Sequence, residues 1–333
     1  MKRKVLVTDY AWESLEIERE ILSRVGTEIV VSSSGEENEL LGLAGDVEGI
    51  MTSWAKVTAN VIGAARQCQV IARYGIGLDN IDIEKATQEG IIVTNVPAYC
   101  IEEVSDHAMA LILACARKIS FYDRAVKKGE WNLLSGNKMR RIRGKTLGLV
   151  GFGKIGQAMA VKAKGFGLRV IVTDPAINKE KAQEHSVEAV TFERLLSESD
   201  FISLHLPLNK STNNLFGEKE FKRMKETSYI INTSRGGLID VKALDKAIRE
   251  KWISGAGLDV LPKEPPDMTE SLLGYENVII TPHTAFSSVE SVEELQRITA
   301  TQVASVLSGN KPENIVNPDV LVNPKLRVSF QAT

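Results

Sequence analysis

The chain has 333 residues, 43% hydrophobic and 25% charged, the profile of a soluble globular protein with material for two domains. A formal net charge of -2 leaves no basic excess, which argues against a nucleic-acid partner. No apolar stretch approaches the roughly 18 residues of a membrane span, so no membrane association is expected.

From the N-terminus, Lys4 to Thr8 reads as a short apolar strand after a start that turns polar too soon for a signal peptide. Residues 11–25 carry apolar positions at helical spacing, and Glu28 to Val31 is strand-like again. The alternation continues with a strand over Gly49–Thr52, a helix near 58–66, and strands over Val70–Arg73 and Ile91–Thr94. Such alternation predicts a parallel sheet with helices on both faces. Glu102 to about Lys118 reads as a long, nearly all-apolar helix, buried on several sides, with a second helix to about Gly129. Within the loop beyond, Lys138 and Arg140-Arg141-Ile142-Arg143 read as a solvated basic run. A second α/β alternation then extends to about residue 282. Val289 to Gly309 forms one last helix, too late for the second sheet and expected to return to the first domain. Cys68, Cys100 and Cys115 are widely spaced and odd in number, so reduced thiols in a cytoplasmic protein are expected, with no disulfide or metal site.

The sharpest local signal is Gly151-Phe152-Gly153-Lys154-Ile155-Gly156, which follows the strand Leu147–Val150 and opens a helix through Met159 and Ala163. In that setting the first glycine permits a tight turn, the second lets a pyrophosphate approach the backbone, and the third packs helix on strand. The helix N-terminus offers unbonded N–H groups to the phosphates. The next strand, Arg169–Thr173, ends in Asp174, 18 positions after Gly156. A carboxylate there bonds ribose hydroxyls and repels a 2′-phosphate, which selects NAD over NADP. Two further strands end at the same expected edge, one in His205-Leu206-Pro207-Leu208 and the other in Thr233-Ser234-Arg235-Gly236-Gly237.

Arg235, Glu264 and His283 all stand at strand ends in this half. Singly each is as compatible with a surface or turn residue as with chemistry. Beside a nicotinamide fold they form a coherent set. Oxidising an alcohol needs a base, a cation to orient the acid and polarise its carbonyl, and a carboxylate to tune the base.

The chain resembles the D-isomer-specific 2-hydroxyacid dehydrogenases from about Lys4 to Val316. The carrying stretches are Tyr74-Gly75-Ile76-Gly77-Leu78-Asp79-Asn80-Ile81-Asp82, the Gly151–Gly156 loop, His205-Leu206-Pro207-Leu208, Asn232 to Gly237, Gly257-Leu258-Asp259-Val260 and Thr281-Pro282-His283-Thr284. The resemblance implies two Rossmann-like, doubly wound α/β domains. The NAD-binding domain, residues 101–287, is inserted into a flavodoxin-like substrate domain of residues 1–100 and 288–333. It implies that Arg235 binds the substrate carboxylate, that His283 is the acid–base residue and that Glu264 is its partner. Gly75 and Ile76 fall where the family's loop offers N–H groups to that carboxylate. Ile155, Asp174, His205, Thr212, Thr233 and Asp259 fall along the dinucleotide, with Leu206, Pro207, Ser234, His283 and Ala285 in the same cofactor-lining stretches. It also implies a homodimer built around the 102–118 helix.

Trp54 and Lys56, just after a strand of the first half, are candidates for reading the substrate side chain. His107, inside the long helix, is expected to be structural, and His185 to take no catalytic part. Met139 to Thr146 resembles the branch that includes the C-terminal-binding-protein corepressors, and Ala285-Phe286 departs from the small residues many members carry after the histidine. Three readings follow: reduction of a small 2-oxo acid to its D-2-hydroxy acid, an NAD(H)-sensing binding protein, and a changed reaction such as phosphite oxidation. Glu264 argues against a formate-type site.

Overall fold

In the computed structural model, which describes residues 2–136 and 138–331, the N-terminal apolar runs pair as a parallel sheet. Met1, Asn137, Ala332 and Thr333, three of them at the ends of the expected first domain, lie outside the described residues. The strands are β1 (Arg3–Val7), β2 (Thr27–Val31), β3 (Gly49–Thr52), β4 (Val70–Arg73) and β5 (Ile92–Thr94), in the order β2-β1-β3-β4-β5. Every residue of β3, β4 and β5 is buried, as strands covered by helices on both faces must be. Helices α1 (Glu16–Ser23), α2 (Glu37–Leu43), α3 (Ala59–Ala64) and α4 (Ile83–Gln88) connect them. Leu40, Val61, Ile62 and Ala86 from three of these helices share one core with Leu6, Ile50, Ile71 and Val93.

Helical spacing begins at residue 11, yet α1 starts only at Glu16. The preceding residues are held by ring packing instead. Trp12 lies edge-on against Tyr74 with centroids 4.8 Å apart, and Tyr10 packs on Trp12 at 5.8 Å.

The second unit runs from Cys100 to Ser287. It opens with α5 (Ile101–Arg117) and α6 (Ile119–Lys127), followed by β6 (Thr146–Val150), α7 (Lys154–Gly165), β7 (Arg169–Thr173), α8 (Lys179–Glu184), β8 (Glu188–Ala189) and α9 (Phe192–Glu198). The chain continues through β9 (Phe201–Leu204), α10 (Glu218–Phe221), β10 (Tyr229–Asn232), α11 (Val241–Arg249), β11 (Gly255–Leu258) and β12 (Val278–Ile280). The seven strands are all parallel, ordered β12-β11-β10-β9-β6-β7-β8. Strand order therefore reverses between β6 and β9, where ligands of open α/β sheets bind. Period-two alternation divides the core. Leu147, Leu149, Val170 and Val172 pack with α5 and α7, whereas Val150 and Ile171 belong with Leu195 of α9 and Leu244 of α11. Gly257 lets α5 lie close, since a Cβ there would stand 3.0 Å from the Leu111 side chain.

The last helix, α12 (Val289–Leu307), begins at a reciprocal Ser288–Ser291 capping box and belongs to the first unit, packed on α1 and β4. Its Gln296 donates to Glu18 Oε2 at 2.8 Å and to the Ser14 carbonyl at 2.9 Å. Tyr74 donates to the other Glu18 oxygen at 3.1 Å. Burial pushes the Glu18 carboxyl above the ordinary glutamate range, and these two donors partly offset that cost.

The chain beyond α12 covers the free edge of β5. Val316 N–H donates to the Val93 carbonyl at 2.8 Å, and Asn317 Oδ1 accepts the Val93 N–H at 2.8 Å. Asn317 Nδ2 donates to Thr87 Oγ1 and the Ile91 carbonyl, and Arg327 reaches the carbonyls of Ala65, Arg66, Cys68 and Glu89. An open edge is thereby closed to foreign strands. Asn317→Ala strands a buried donor and acceptors, so it should cost about 2–3 kcal/mol. The expected readouts are a lower thermal midpoint and faster amide exchange at Val93; unchanged exchange there would contradict this account of the edge.

Candidate active site

The turn after β6 is built by steric exclusion. Gly151 takes φ +96°, and a Cβ on it would lie 2.3 Å from the His205 carbonyl oxygen at the end of β9. A Cβ on Gly156 would lie 2.5 Å from the Gly151 carbonyl oxygen, so helix and strand meet without space for a side chain. Gly153 faces open space and precedes α7 with no side-chain cap, which leaves the helix's first N–H groups to a ligand or water. Gly153 and Lys154 are exposed and Ile155 is half-buried.

Asp174 follows β7 and is tied to this turn. Its Oδ2 accepts the Phe152 N–H at 2.6 Å and its Oδ1 accepts the Ala176 N–H at 2.7 Å. His185, expected to take no catalytic part, packs its ring edge-on against buried Phe152, centroids 5.3 Å apart. His205 is held by Ser203 Oγ, 2.9 Å from its Nε2, and burial pulls its pKa down to about 4. The ring is therefore neutral at pH 7. Leu206 approaches the Gly151 turn, while Pro207 accepts the Thr212 hydroxyl at 2.7 Å. Thr212 thus closes its own loop. Thr233, at the end of β10, is buried with its Oγ1 unpartnered among the described residues, as is His205 Nδ1.

The turn after β10 is equally determined. Buried Asn232 accepts the Ser234 N–H at 3.0 Å and donates to the Arg235 carbonyl at 2.8 Å. Ser234 Oγ donates to the Leu204 carbonyl, joining this turn to β9. Gly236 then passes so close to Leu261 that a Cβ would lie 2.0 Å from its carbonyl carbon. This approach brings the Arg235 turn beside the loop that carries Glu264.

Glu264 bridges two elements. Its Oε1 accepts the Leu261 N–H at 2.8 Å, and its Oε2 stands 2.6 Å from His283 Nδ1. Burial pushes its carboxyl up. The hydrogen bond and charge of His283, the Leu261 N–H and the charge of Arg235 together outweigh this, and the carboxyl ends below the ordinary glutamate value. A carboxylate accepts only, so the pairing fixes the proton on Nδ1 and leaves Nε2 as the atom that exchanges protons.

His283 itself adopts φ +54°, an unusual left-handed conformation for a non-glycine residue. Asp259 holds it there. The Asp259 carbonyl accepts the His283 N–H at 2.8 Å, and its buried carboxylate accepts the N–H groups of Thr284 and Ala285, both at 2.9 Å. The Thr281 hydroxyl adds a fourth donor at 2.6 Å. The Phe286 ring lies 6.3 Å from that of His283, nearly perpendicular.

The first unit's candidates lie on a different carboxyl edge. Asp9, just beyond β1, accepts the N–H groups of Ser53, Trp54 and Ala55 at 2.9, 2.7 and 3.2 Å. Sequence reasoning passed over Asp9, although an acid directly after a strand was a signal. Trp54 and Lys56 are exposed on the loop it holds. The Gly75 N–H is already taken by the Arg73 carbonyl at 3.0 Å. A Cβ on Gly75, which has φ +135°, would meet the Arg73 guanidinium.

The family model described as "D-isomer specific 2-hydroxyacid dehydrogenase, NAD binding domain" matches residues 109–285. The chain is 42% identical over 268 residues to a glyoxylate reductase of Korarchaeum cryptofilum, covering 80% of this chain and 81% of that one. It is 44% identical over 277 residues to a glyoxylate reductase of Thermococcus litoralis, covering 80% and 82%. Among solved structures, D-lactate dehydrogenase from Aquifex aeolicus, complexed with NAD and lactic acid, superposes with a TM-score of 0.84 at 29% identity, covering 95% of this chain and 99% of that one.

Proposed function

We propose, for a chain that belongs to the D-isomer-specific 2-hydroxyacid dehydrogenase family, the NAD-dependent reduction of a small 2-oxo acid, with glyoxylate as the first candidate. The observation that carries this reading is the Glu264–His283 pair at 2.6 Å with Arg235 on the adjoining turn. The enzyme names of the relatives give no support to the corepressor-like or phosphite readings.

A dinucleotide suits the edge at the β6–β9 reversal. Gly153 leaves open space there, and Thr233 Oγ1 and His205 Nδ1 are buried polar atoms with bonding capacity to spare. When bound, NAD supplies or takes up the hydride. Asp174 favours ribose hydroxyls and disfavours a 2′-phosphate. The side chains of Thr212 and Asp259 serve this edge by holding its loops. Arg235 would hold the substrate carboxylate with its planar guanidinium and polarise the oxo group. His283 then passes the Nε2 proton to the substrate oxygen as the C–H bond forms, with Glu264 holding Nδ1 and so the direction of the ring. On the first unit, Gly75, Ile76, Trp54 and Lys56 stand as that unit's own candidates for binding an acid.

We read the protein as a homodimer, with a revision. The expected helix α5 spends its apolar residues inside its own unit, against α7, β10 and β11. The exposed apolar surface lies just after it, at Ile119, Val126, Trp131, Leu133 and Leu134, with Trp131 90% exposed. Such a concentration on one short segment favours a protein partner over solvent.

Three outcomes are expected. With NADH, glyoxylate should be reduced along with other short 2-oxo acids, and kcat/KM should fall at least tenfold with NADPH, about the effect of one unfavourable charge contact. Failure to reduce any 2-oxo acid despite NADH binding would overturn the activity. Light scattering should report a dimer that Trp131→Asp converts to monomer; a monomeric parent protein would refute the dimer. Glu264→Gln keeps the size but removes the carboxylate that holds the His283 Nδ1 proton, so kcat should fall at least about tenfold, the scale of a misplaced reacting group. Full kcat in this variant would exclude Glu264 as the partner of His283.

A further inference from the structure

The long helix α5 carries one histidine whose ring leaves the helix for the reactive edge. His107 Nε2 lies 2.9 Å from Thr281 Oγ1 and 3.6 Å from Asp259 Oδ1. The donor order along this chain is determined. The Asp259 carboxylate accepts the Thr284 and Ala285 N–H groups, so it acts as an acceptor throughout, and the Thr281 hydroxyl must donate to it at 2.6 Å. With its own proton committed, the Thr281 oxygen can only accept from the imidazole. His107 therefore carries its proton on Nε2. A helix 174 residues away in sequence thus fixes the rotor of the hydroxyl two residues before His283.

We infer that His107 is a positioning residue for proton transfer, acting through Thr281 and Asp259 on the turn that carries His283. The physical need is plain at His283, whose left-handed backbone must be held by its surroundings. Three bonds converge on that turn from Asp259: its carbonyl takes the His283 N–H, and its carboxylate takes the next two. The carboxylate is 1% exposed and has no lysine or arginine partner among the described residues. Its orientation therefore depends on hydrogen bonds alone. Thr281 and His107 supply the side-chain half of that set, on the oxygen facing α5. Removing His107 frees the Thr281 hydroxyl to rotate away from Asp259 and loosens the carboxylate under the turn. The imidazole then stays in the protein, but its Nε2 wanders from the line of proton transfer.

The inference rests on His283 as the proton carrier, and the experiment separates the two. Five variants are compared in steady-state reduction of glyoxylate by NADH: His107→Leu, His107→Gln, Thr281→Val, the double His107→Leu/Thr281→Val, and His283→Gln. His107→Leu should lower kcat about tenfold, within the range that a misplaced reacting group costs. Its KM for NADH should stay within about twofold, because uniform binding is untouched. His107→Gln, whose side-chain N–H can reach the same hydroxyl, should recover most of the rate, which general loss of packing would not allow. The double variant should be no slower than the slower single, since both substitutions break one chain of bonds. Full kcat in His107→Leu, no recovery in His107→Gln, or losses that multiply in the double variant would each overturn the inference. Thr281→Val keeps the test open should His107→Leu not fold. Retained activity in His283→Gln would instead overturn the proton-carrier reading itself, whatever His107 does.

Discussion

The carboxylate of Asp259 anchors the edge that carries Arg235, Glu264 and His283. A buried acid with no lysine or arginine partner among the described residues is costly unless donors surround it, and here two N–H groups and a hydroxyl do so. Those donors belong to the turn between β12 and α12, so satisfying the charge and shaping the turn are one event. The left-handed backbone at His283 follows from this arrangement, and so does the direction in which its ring meets Glu264. Glu264 in turn spends its second oxygen on Leu261, whose backbone Gly236 touches. Arginine turn, carboxylate loop and histidine turn are therefore set against one another by backbone contacts. If these are the reacting groups, as proposed, such a shell holds them in place before substrate arrives, the main source of electrostatic catalysis.

The nucleotide edge obeys a different constraint, one of space. Gly151 and Gly156 are required because carbonyl oxygens of His205 and of Gly151 itself occupy the places where side chains would stand. Gly153 is the opposite case, since a Cβ there would meet nothing within 4 Å. One tripartite motif thus contains two kinds of glycine, two in close packing and one facing open space. Asp174 locks the turn by accepting the Phe152 N–H, so the residue proposed to select the cofactor also shapes the turn beside it.

Much of this was legible in the sequence where the governing contacts are local. The glycine turn, its strand and its helix lie within twenty residues, and short-range sterics dictate them. The strand ends bearing Arg235 and His283 were visible because apolar runs stop there. Other features were not legible. The helices α2 and α4 have seven and six residues, too short to declare a period. Asp9, Asp259 and Asn317 look like ordinary turn residues, because their partners lie 22 to 230 residues away along the chain for most of their bonds. His107 read as a packed helix residue, and only the fold reveals that its ring leaves the helix for Thr281. The helical spacing over 11–25 outruns α1 because Trp12, within it, packs its ring on Tyr74 instead.

The covering of β5 by Val316 and Asn317 has a consequence in time. The second unit is one continuous stretch, and nascent domains generally fold as units while synthesis proceeds. The first unit is emitted earlier but needs α12 and the residues beyond it to close its sheet. Five strands must therefore wait on the ribosome with β5 unsealed while nearly two hundred intervening residues are made and folded. The part that emerges first is the part that is finished last, and its exposed strand edge is the place where a chaperone would be most useful.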